Sequence, residues 1–366
     1  MRAALLSASF GGGHRQAARA LRAALESSGQ CACVEADYLR LVPAWEREPV
    51  TRTYAFWLRY WPAAYRWFYH WSNRPDEPQL ISETLSKAGL ANMIRFLEQT
   101  QPDVVVASYA TVAAVAERAR RIAGQRFLNA LVVTDFRAHR HWARPEADLL
   151  FAAFPETAED LVRHGVDPAR VRVTGIPILP VFTGLPDRYE LRRKLNLDER
   201  PVVLLTSGGA GAYRSFDRVL KTLLNLDLPL QLVTFNPRHN GSHAEEERGR
   251  LRWIRTGLRD DFPEWMGAAD WIVGKAGGLT ASEALALGVP MIVFDPIPGQ
   301  EEGNAELLET RGAAVWIRRP GELRAELLRL LGDKAHQEAM SRAAQALGRP
   351  DAAAAIAREL LQAGAP

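Results

Sequence analysis

The sequence is poor in cysteine and has no apolar run long enough to cross a membrane. Its two cysteines, Cys31 and Cys33, are too close together to frame a fold by a disulfide, so we expect both to be small buried residues of a strand in a reducing, cytoplasmic compartment. The best apolar candidate, residues 104–116, is shorter than the ~20 residues of a spanning helix. It predicts instead a strand that runs into a helix. The first residues also lack a signal-peptide pattern, so we expect any membrane contact to be made from one side.

Clusters of metal-binding side chains are also missing from the sequence. No two aspartates stand as Asp-x-Asp, and the pairs His139/His141 and His239/His243 have ligand spacing without a cysteine or carboxylate set nearby. We therefore expect these histidines to lie in loops, and we expect no metal.

The composition favours a folded chain of two domains. Of the 366 residues, 47% are hydrophobic and 24% are charged, so each half can bury a core. The net charge of +3 is too small to indicate binding to nucleic acid. It permits anionic partners such as phosphate or lipid head groups.

Short β-rich runs alternate with helical patterns along both halves of the chain. This alternation predicts the α/β class, with two Rossmann-like, doubly wound parallel-sheet domains that face a central cleft. Residues 178–189, rich in proline and glycine, predict the linker. We assign residues 1–180 to the first domain, with a helix in 350–366 able to pack back on it, and residues 190–348 to the second. The predicted strands are 3–9, 104–108, 127–134, 148–151, 202–206, 230–235, 252–256, 271–273, 290–294 and 314–317, and the first helix is predicted at 14–27.

One segment, residues 45–71, breaks this alternation because aromatic and arginine side chains dominate it. Half of the ten tryptophans lie there. Tryptophan and tyrosine favour membrane interfaces, and each arginine near an anionic surface adds ~1 kcal/mol. The segment therefore predicts contact with a lipid or a membrane, with an aromatic core helix or a protein interface as alternatives. The residues assigned to the acceptor or membrane are Gly12, Gly13, Trp57, Arg59, Trp61, Arg66, Trp67 and Trp71.

The first glycine-rich motif, residues 9–14 (SFGGGH), follows the first predicted strand. Glycines let the backbone approach a ligand closely, and the next helix presents its first N–H groups at the same place. Ligands of open α/β sheets bind outside the carboxyl ends of the strands. His14 is therefore our candidate to take a proton from a hydroxyl group, and a helix-capping histidine is the alternative.

Two further glycine motifs lie in the second half. Residues 206–211 (TSGGAG) predict an anion site by the same reasoning. The strongest constellation begins at residues 275–283 (KAGGLTASE), where glycines open a helix whose amides can hold a diphosphate. Thr280 can add a hydroxyl donor, and Glu283 can accept both hydroxyls of a ribose, unless it is a solvated helix residue.

The same constellation continues in residues 298–304 (PGQEEGN). The side chains of Gln300, Glu301 and Asn304 suit the hydroxyl groups of a sugar, and a polar loop with capping groups is the alternative. Taken together, in this order and spacing, the two parts favour a nucleotide-sugar site.

These motifs resemble those of the monogalactosyldiacylglycerol synthase and processive diacylglycerol glucosyltransferase family, which has the GT-B fold. A more distant similarity is to the lipid-II-forming N-acetylglucosaminyltransferase. The matching segments are 11–18 (GGGHRQAA), 133–135 (VTD), 141–142 (HW), 173–177 (VTGIP), 275–277 (KAG), 282–285 (SEAL) and 297–304 (IPGQEEGN). They follow one another in order across both halves.

The resemblance implies an inverting transfer of a hexose from a UDP-sugar to diacylglycerol or a glycolipid, at the cytoplasmic face of an anionic membrane. It implies that His14 acts on the acceptor hydroxyl and that Asp135 orients the histidine or the substrate. The implied donor-binding residues are Gly208, Gly209, Lys275, Gly277, Gly278, Leu279, Thr280, Glu283, Gln300, Glu301 and Asn304. Without a metal, we expect helix N-termini, glycine-loop amides and Lys275 or Arg238 to neutralise the leaving diphosphate.

Three segments depart from the family pattern. Residues 277–280 (GGLT) stand where the family usually has Gly-Pro-Gly-Thr, residues 234–238 (TFNPR) replace a Cys-Gly-x-Asn turn, and residues 208–211 (GGAG) lack the usual third consecutive glycine. The open alternatives are a non-hydrolysing UDP-sugar epimerase, a catalytically silent nucleotide-sugar-binding or membrane-scaffolding protein, and a cell-wall-type N-acetylglucosaminyltransferase. Glucose, galactose and N-acetylglucosamine all fit the sugar-binding residues.

Overall fold

The structure, a computed structural model, describes residues 1–9, 11–74, 87–208, 215–240, 242–319 and 321–364. The chain forms two compact units. The first consists of Met1–Pro180, Pro298–Gln300 and Pro350–Pro366, and the second of Val181–Ile297 and Glu301–Arg349.

Strands and helices alternate in both units, as the sequence predicts. In the described residues the strands are β1 (Arg2–Ser7), β2 (Ala32–Asp37), β3 (Val104–Ala107), β4 (Leu128–Val132), β5 (Leu149–Ala152), β6 (Val171–Val173), β7 (Val202–Thr206), β8 (Gln231–Phe235), β9 (His243–Arg248), β10 (Leu251–Thr256), β11 (Trp271–Gly274), β12 (Met291–Phe294) and β13 (Ala314–Ile317). The α-helices there are α1 (Gly12–Ser27), α2 (Tyr38–Leu41), α3 (Ala44–Tyr60), α4 (Pro62–Ser72), α5 (Leu90–Thr100), α6 (Ala110–Ala123), α7 (Pro155–Arg163), α8 (Arg188–Lys194), α9 (Phe216–Leu224), α10 (Phe262–Ala268), α11 (Gly278–Ala286), α12 (Glu302–Thr310), α13 (Glu322–Gly332), α14 (Lys334–Leu347) and α15 (Ala352–Ala363).

The first unit is built on a six-stranded parallel sheet in the order β2-β1-β3-β4-β5-β6. Alternate residues of its strands enter two different cores: Leu6 and Val105 pack on one face, and Leu5 and Val106 on the other. Each such buried side chain stabilises the fold by roughly 1.5–3 kcal/mol. Because both faces are covered, the interior strands β3 (VVVA) and β5 (LLFA) are apolar throughout. The C-terminal helix α15 packs against α1.

The second unit has a seven-stranded sheet in the order β13-β12-β11-β7-β8-β10-β9. All neighbouring pairs are parallel except β9 and β10, which are antiparallel. The predicted parallel sheets are confirmed, and the second sheet carries one antiparallel pair at its edge. Strand β9 (HAEEER) was not predicted, because its charged residues show no apolar alternation. Such charges on an edge strand discourage pairing with other chains.

Several other local predictions need correction. Helix α1 begins at Gly12, two residues before the predicted start, because the glycines form its first turn instead of a separate loop. Strand β6 has only three residues and was missed. Both cysteines are free, but only Cys31 is buried; Cys33, on strand β2 at the edge of the sheet, is half-buried.

The aromatic segment forms two helices, α3 and α4, which meet at Trp61. None of the helices in the described ranges is long and apolar enough to cross a membrane.

Candidate active site

The first part of the site lies at the carboxyl edge of the first sheet, where His14 sits in the opening turn of α1. The helix begins after Gly11, whose φ of −163° is extended, so Gly12, Gly13 and His14 supply its first three N–H groups. These groups have no partner within the helix, and they point toward the edge where ligands of parallel sheets bind.

The His14 ring is held in one orientation by backbone and hydroxyl groups from neighbouring strands. Its Nδ1 lies 2.7 Å from the carbonyl oxygen of Ser108 and 3.2 Å from Oγ1 of Thr134. A carbonyl can only accept, so Nδ1 carries the proton and donates it to Ser108. Nε2 is then the unprotonated nitrogen. Burial lowers the pKa of His14 to about 4, so the ring is neutral at physiological pH.

Asp135 lies just after strand β4 and is buried. Its Oδ2 accepts a hydrogen bond from Nε1 of Trp142, at 3.0 Å. The Trp142 ring centroid lies 6.3 Å from that of His14, and the Tyr109 ring meets the histidine edge-on at 5.4 Å. Asp135 is thus joined to His14 through an aromatic neighbour, while Ser108 and Thr134 hold Nδ1. The role of Asp135 toward the substrate stays a prediction.

Sequence reasoning did not single out the residues that orient His14. Ser108 and Thr134 follow β3 and β4; β3 lies next to β1 in the sheet, and β4 lies next to β3. Tyr109 comes directly after Ser108. Their position at the carboxyl ends of adjacent strands could have indicated from the sequence that they lie near His14. Trp142 lies further along the chain, in a short turn, and only its place in the family motif pointed to it.

The histidines with metal-ligand spacing have structural partners. Nε2 of His139 lies 2.9 Å from the carbonyl oxygen of Tyr69 and donates to it, because its Nδ1 accepts from the His141 N–H at 2.9 Å. His141 in turn lies 3.1 Å from the Thr111 hydroxyl. These contacts tie the last turn of α4 to the turn that carries Trp142. No group of three or more potential metal ligands lies together in the ranges described above.

The predicted acceptor and membrane residues divide into exposed and half-buried ones. Trp61 and Trp67 are 60% and 66% exposed, and Arg59 and Arg66 are exposed beside them. Trp57 and Trp71 are half-buried: the Trp57 ring packs 5.1 Å from Phe68, and that of Trp71 is stacked on Trp67 at 6.0 Å. Three further aromatic residues of α3 are exposed: Trp45, Phe56 and Tyr60. The two helices therefore present a surface, not the aromatic core considered as an alternative.

In the second unit, the predicted donor residues lie at the carboxyl ends of β7 and β11. Gly208 follows β7 with a φ of +72°, a left-handed conformation that favours glycine, and Gly209 lies outside the described residues. Lys275 follows β11, and Gly277 is the residue before helix α11. A Cβ on Gly208 would lie 3.9 Å from Cε of Lys275, so the two strand ends are adjacent.

Helix α11 carries Gly278, Leu279, Thr280 and Glu283 of the predicted set. The Glu283 side chain is buried, and in the described part of the chain no residue hydrogen-bonds to its carboxyl group. Burial alone raises its pKa to about 8. The alternative of a solvated helix residue is therefore wrong. A buried carboxyl without a partner is costly, and such groups concentrate at functional sites.

Of the remaining predicted donor residues, Gln300 and Glu301 directly precede α12, and Asn304 lies in its first turn. Nζ of Lys275 donates to Oε1 of Glu301 at 2.5 Å, and Nδ2 of Asn304 donates to the carbonyl oxygen of Ala276 at 2.9 Å. Asn304 therefore fixes the backbone that leads into α11. Gln300 belongs to the first unit, where the Tyr65 hydroxyl donates to its Oε1 at 3.3 Å.

Arg238, the other candidate for charge neutralisation, lies in a short turn after β8. Its guanidinium is exposed and pairs with the exposed Asp217 at 3.2 Å.

Comparison with known families accounts for both units. Residues 14–178 match the monogalactosyldiacylglycerol (MGDG) synthase family, and residues 231–356 match the glycosyltransferase family 28 C-terminal domain. The first half of the chain therefore resembles monogalactosyldiacylglycerol synthases, and the second half resembles the C-terminal domain of family 28 glycosyltransferases. The first match begins at His14, and the second contains Lys275, Glu283 and Glu301.

Two processive diacylglycerol beta-glucosyltransferases are similar to the chain over most of its length. The one from Bacillus pumilus is 28% identical over 346 residues, which cover 92% of this chain and 88% of the relative. The one from Bacillus subtilis is also 28% identical over 346 residues, covering 91% and 87%.

Solved structures show that the fold is GT-B. MurG of Acinetobacter baumannii is similar with a TM-score of 0.64 at 17% identity, covering 99% of both chains. A putative UDP-N-acetylglucosamine 2-epimerase of Listeria monocytogenes has the same TM-score at 16% identity, covering 99% of this chain and 96% of the other. At these identities the similarity concerns the fold alone, which the epimerases share.

Proposed function

We propose that this glycosyltransferase moves a hexose from a UDP-sugar to the free hydroxyl of diacylglycerol or of a glycolipid, at the inner surface of the cell membrane. The observation that carries the proposal is the neutral His14 ring, whose Nδ1 is committed to Ser108 and whose Nε2 is left unprotonated. The names of the curated relatives support diacylglycerol as the acceptor and glucose as the hexose.

In the proposed reaction, the acceptor oxygen attacks the anomeric carbon of the donor and its proton moves to Nε2 of His14. The bond between the anomeric carbon and the diphosphate oxygen breaks, and UDP leaves with the electron pair. Attack on the face opposite the leaving group converts an α-linked donor into a β-glycoside. Asp135 would stabilise the positive charge that the imidazole acquires, or orient the acceptor.

The second unit would hold the donor without a metal. The first N–H groups of α11 and the backbone at Gly208 can bind the diphosphate, because a helix N-terminus carries about half a positive charge. The buried carboxyl of Glu283 would accept both hydroxyls of the ribose. Glu301 would contact the hexose, whereas Gln300 stays a predicted sugar-binding residue of the first unit.

The exposed aromatic residues of α3 and α4 would insert into the membrane interface. Trp61 and Trp67 supply amphipathic rings, and Arg59 and Arg66 supply positive charge at the same surface. Arginines near an anionic leaflet contribute about 1 kcal/mol each, and the effect weakens as salt rises. This surface would keep the enzyme beside its lipid acceptor.

The test is UDP release from UDP-glucose, UDP-galactose and UDP-N-acetylglucosamine, with diacylglycerol in anionic vesicles. Release that depends on the lipid, and that falls at least about 100-fold in His14→Ala, supports the proposal. His243→Ala is the matched control, because His243 lies exposed on edge strand β9. Undiminished release in His14→Ala would remove the histidine from the reaction, and conversion of the donor sugar without any lipid would indicate an epimerase.

A further inference from the structure

On the basis of the proposed function, we infer that Lys275 is a positioning residue, which holds Glu301 in place to recognise the hydroxyl groups of the donor hexose. The family resemblance alone assigns both residues to the donor and suggests that the lysine neutralises the diphosphate. The contact between their side chains indicates instead that Lys275 positions Glu301 and that Glu301 contacts the sugar.

Both oxygens of the Glu301 carboxylate have partners within the second unit. Oε1 accepts from Nζ of Lys275 at 2.5 Å, and Oε2 accepts from the N–H of Ile297 at 3.0 Å. The Glu301 side chain is only 5% exposed, whereas that of Lys275 is 24% exposed. The two hydrogen bonds therefore hold the Glu301 carboxylate in a single orientation. Of its two partners, the Lys275 ammonium lies on the side nearer to solvent.

The pair lies where the donor is proposed to bind. A Cβ added to Gly277, the residue before α11, would lie 3.2 Å from Oε1 of Glu301 and 3.5 Å from Nζ of Lys275. On the other side, Cε of Lys275 passes within 3.9 Å of a Cβ placed on Gly208. The ion pair is thus bordered by both glycine segments that are proposed to approach the phosphates.

The charge of Lys275 is already balanced by its partner. A diphosphate that recruited this ammonium would leave the buried Glu301 carboxylate without its cation, which is unfavourable. Among the described residues, no side chain caps the start of α11, so its first amides can bind the diphosphate while the ion pair stays intact.

The Glu301 carboxylate still has acceptor capacity for a sugar. A carboxylate offers about four acceptor positions, and the two observed hydrogen bonds occupy two of them. Two hydroxyl groups of a hexose can fill the others, but only from fixed directions. A site that hydrogen-bonds a hydroxyl rejects a sugar that lacks it in that place, so a fixed Glu301 discriminates between hexose epimers.

The experiment compares the binding of UDP, UDP-glucose and UDP-galactose by calorimetric titration, which requires no acceptor. In Lys275→Met, we expect the affinity for UDP to stay within about twofold of wild type, while the ratio of affinities for the two UDP-sugars falls about tenfold or more. Glu301→Gln should lose the same discrimination, and the double variant should lose no more than either single variant. Lys275→Arg, which can keep the ion pair, should retain most of it.

The inference is overturned by a tenfold or greater loss of UDP affinity in Lys275→Met, which would make the lysine a ligand of the diphosphate. Unchanged discrimination in the same variant, or additive losses in the double variant, also overturns it. If Lys275→Met fails to fold, Glu301→Gln and Lys275→Arg give the same comparison. A failure of the proposed lipid transfer would appear separately, as absent UDP release by a wild-type enzyme that still binds UDP-sugars.

Discussion

Replacing Glu283 by glutamine is expected to stabilise the protein at neutral pH while removing a group from the donor site. The carboxyl group is buried, and its pKa is raised from 4.5 to about 8 by burial alone. Glutamine has nearly the same shape and does not ionise. In the variant, folding at neutral pH therefore requires neither protonation of this carboxyl group nor burial of its charge.

The size of the effect follows from the two pKa values. In the unfolded chain the carboxyl loses its proton near pH 4.5, whereas in the folded protein it keeps the proton until about pH 8. The stability associated with this group is thus fully present below the unfolded value and is lost as the pH rises toward the folded value. The loss is about 1.4 kcal/mol per pH unit, so it reaches about 3 kcal/mol at pH 7 and about 5 kcal/mol at pH 8 and above.

The assay is urea unfolding of wild type and Glu283→Gln at pH 5, 6, 7 and 8, followed by tryptophan fluorescence. The gap in unfolding free energy should widen with each pH step in favour of the variant. Glu306→Gln is the control, because Glu306 is an exposed carboxylate on α12 of the same unit and its gap should not widen in this way. A gap between wild type and Glu283→Gln that does not change with pH would refute the reasoning, as would a wild type more stable than the variant at pH 8.

The other predictions concern binding and turnover. Because hydrogen bonds from ribose hydroxyls would favour an ionised Glu283, the affinity for UDP should rise about tenfold between pH 7 and 9. Glu283→Gln should abolish this rise. An equal dependence of UDP affinity on pH in both proteins would contradict the prediction. Replacing Trp61 and Trp67 together by serine should weaken sedimentation with anionic vesicles at least about tenfold and leave UDP binding unchanged, whereas Tyr189→Ser, at an exposed aromatic of the second unit, should change neither. Asp135→Asn can still accept from Trp142, so a fall in kcat of about 100-fold with unaltered UDP-sugar affinity would assign its charge to the chemical step, and an unchanged kcat would exclude it.

The position of the candidate site in the fold could be predicted from the sequence, because that position follows from topology. Glycines after a buried strand, followed by a helix, mark the carboxyl edge of a parallel sheet, and the motifs at His14 and at Gly277 both have this form. Which side chains meet there depends on tertiary packing. Lys275 and Glu301 are 26 residues apart, so no spacing rule pairs them. The burial of Glu283 depends on which face of α11 packs inward, and a nine-residue helix that is apolar on most sides gives little indication of that face.

The local errors have similar physical causes. Strand β9 is charged because it lies at a sheet edge, so the apolar pattern that marks a strand is absent. Strand β2 also lies at an edge, which leaves Cys33 half-buried where a central strand would have covered it. The two helices of the aromatic segment leave some rings exposed and others half-buried, because the segment has no hydrophobic core of its own in which to bury them.

His14 in the first unit and Glu283 in the second have pKa values that burial shifts in opposite directions. Burial shifts the pKa of the histidine down to about 4 and that of the carboxyl up to about 8, so both groups are neutral at pH 7 before substrates bind. In the proposed reaction, the ribose hydroxyls would favour the ionised form of Glu283, and the acceptor proton would charge His14. Since His14 is already unprotonated above pH 5, the rise of kcat/KM for the donor with pH should have a single limb near pH 8, owing to Glu283. A second limb near pH 6.5 would mean that His14 is solvated like an ordinary histidine, and that its contact with Ser108 does not persist in the working enzyme.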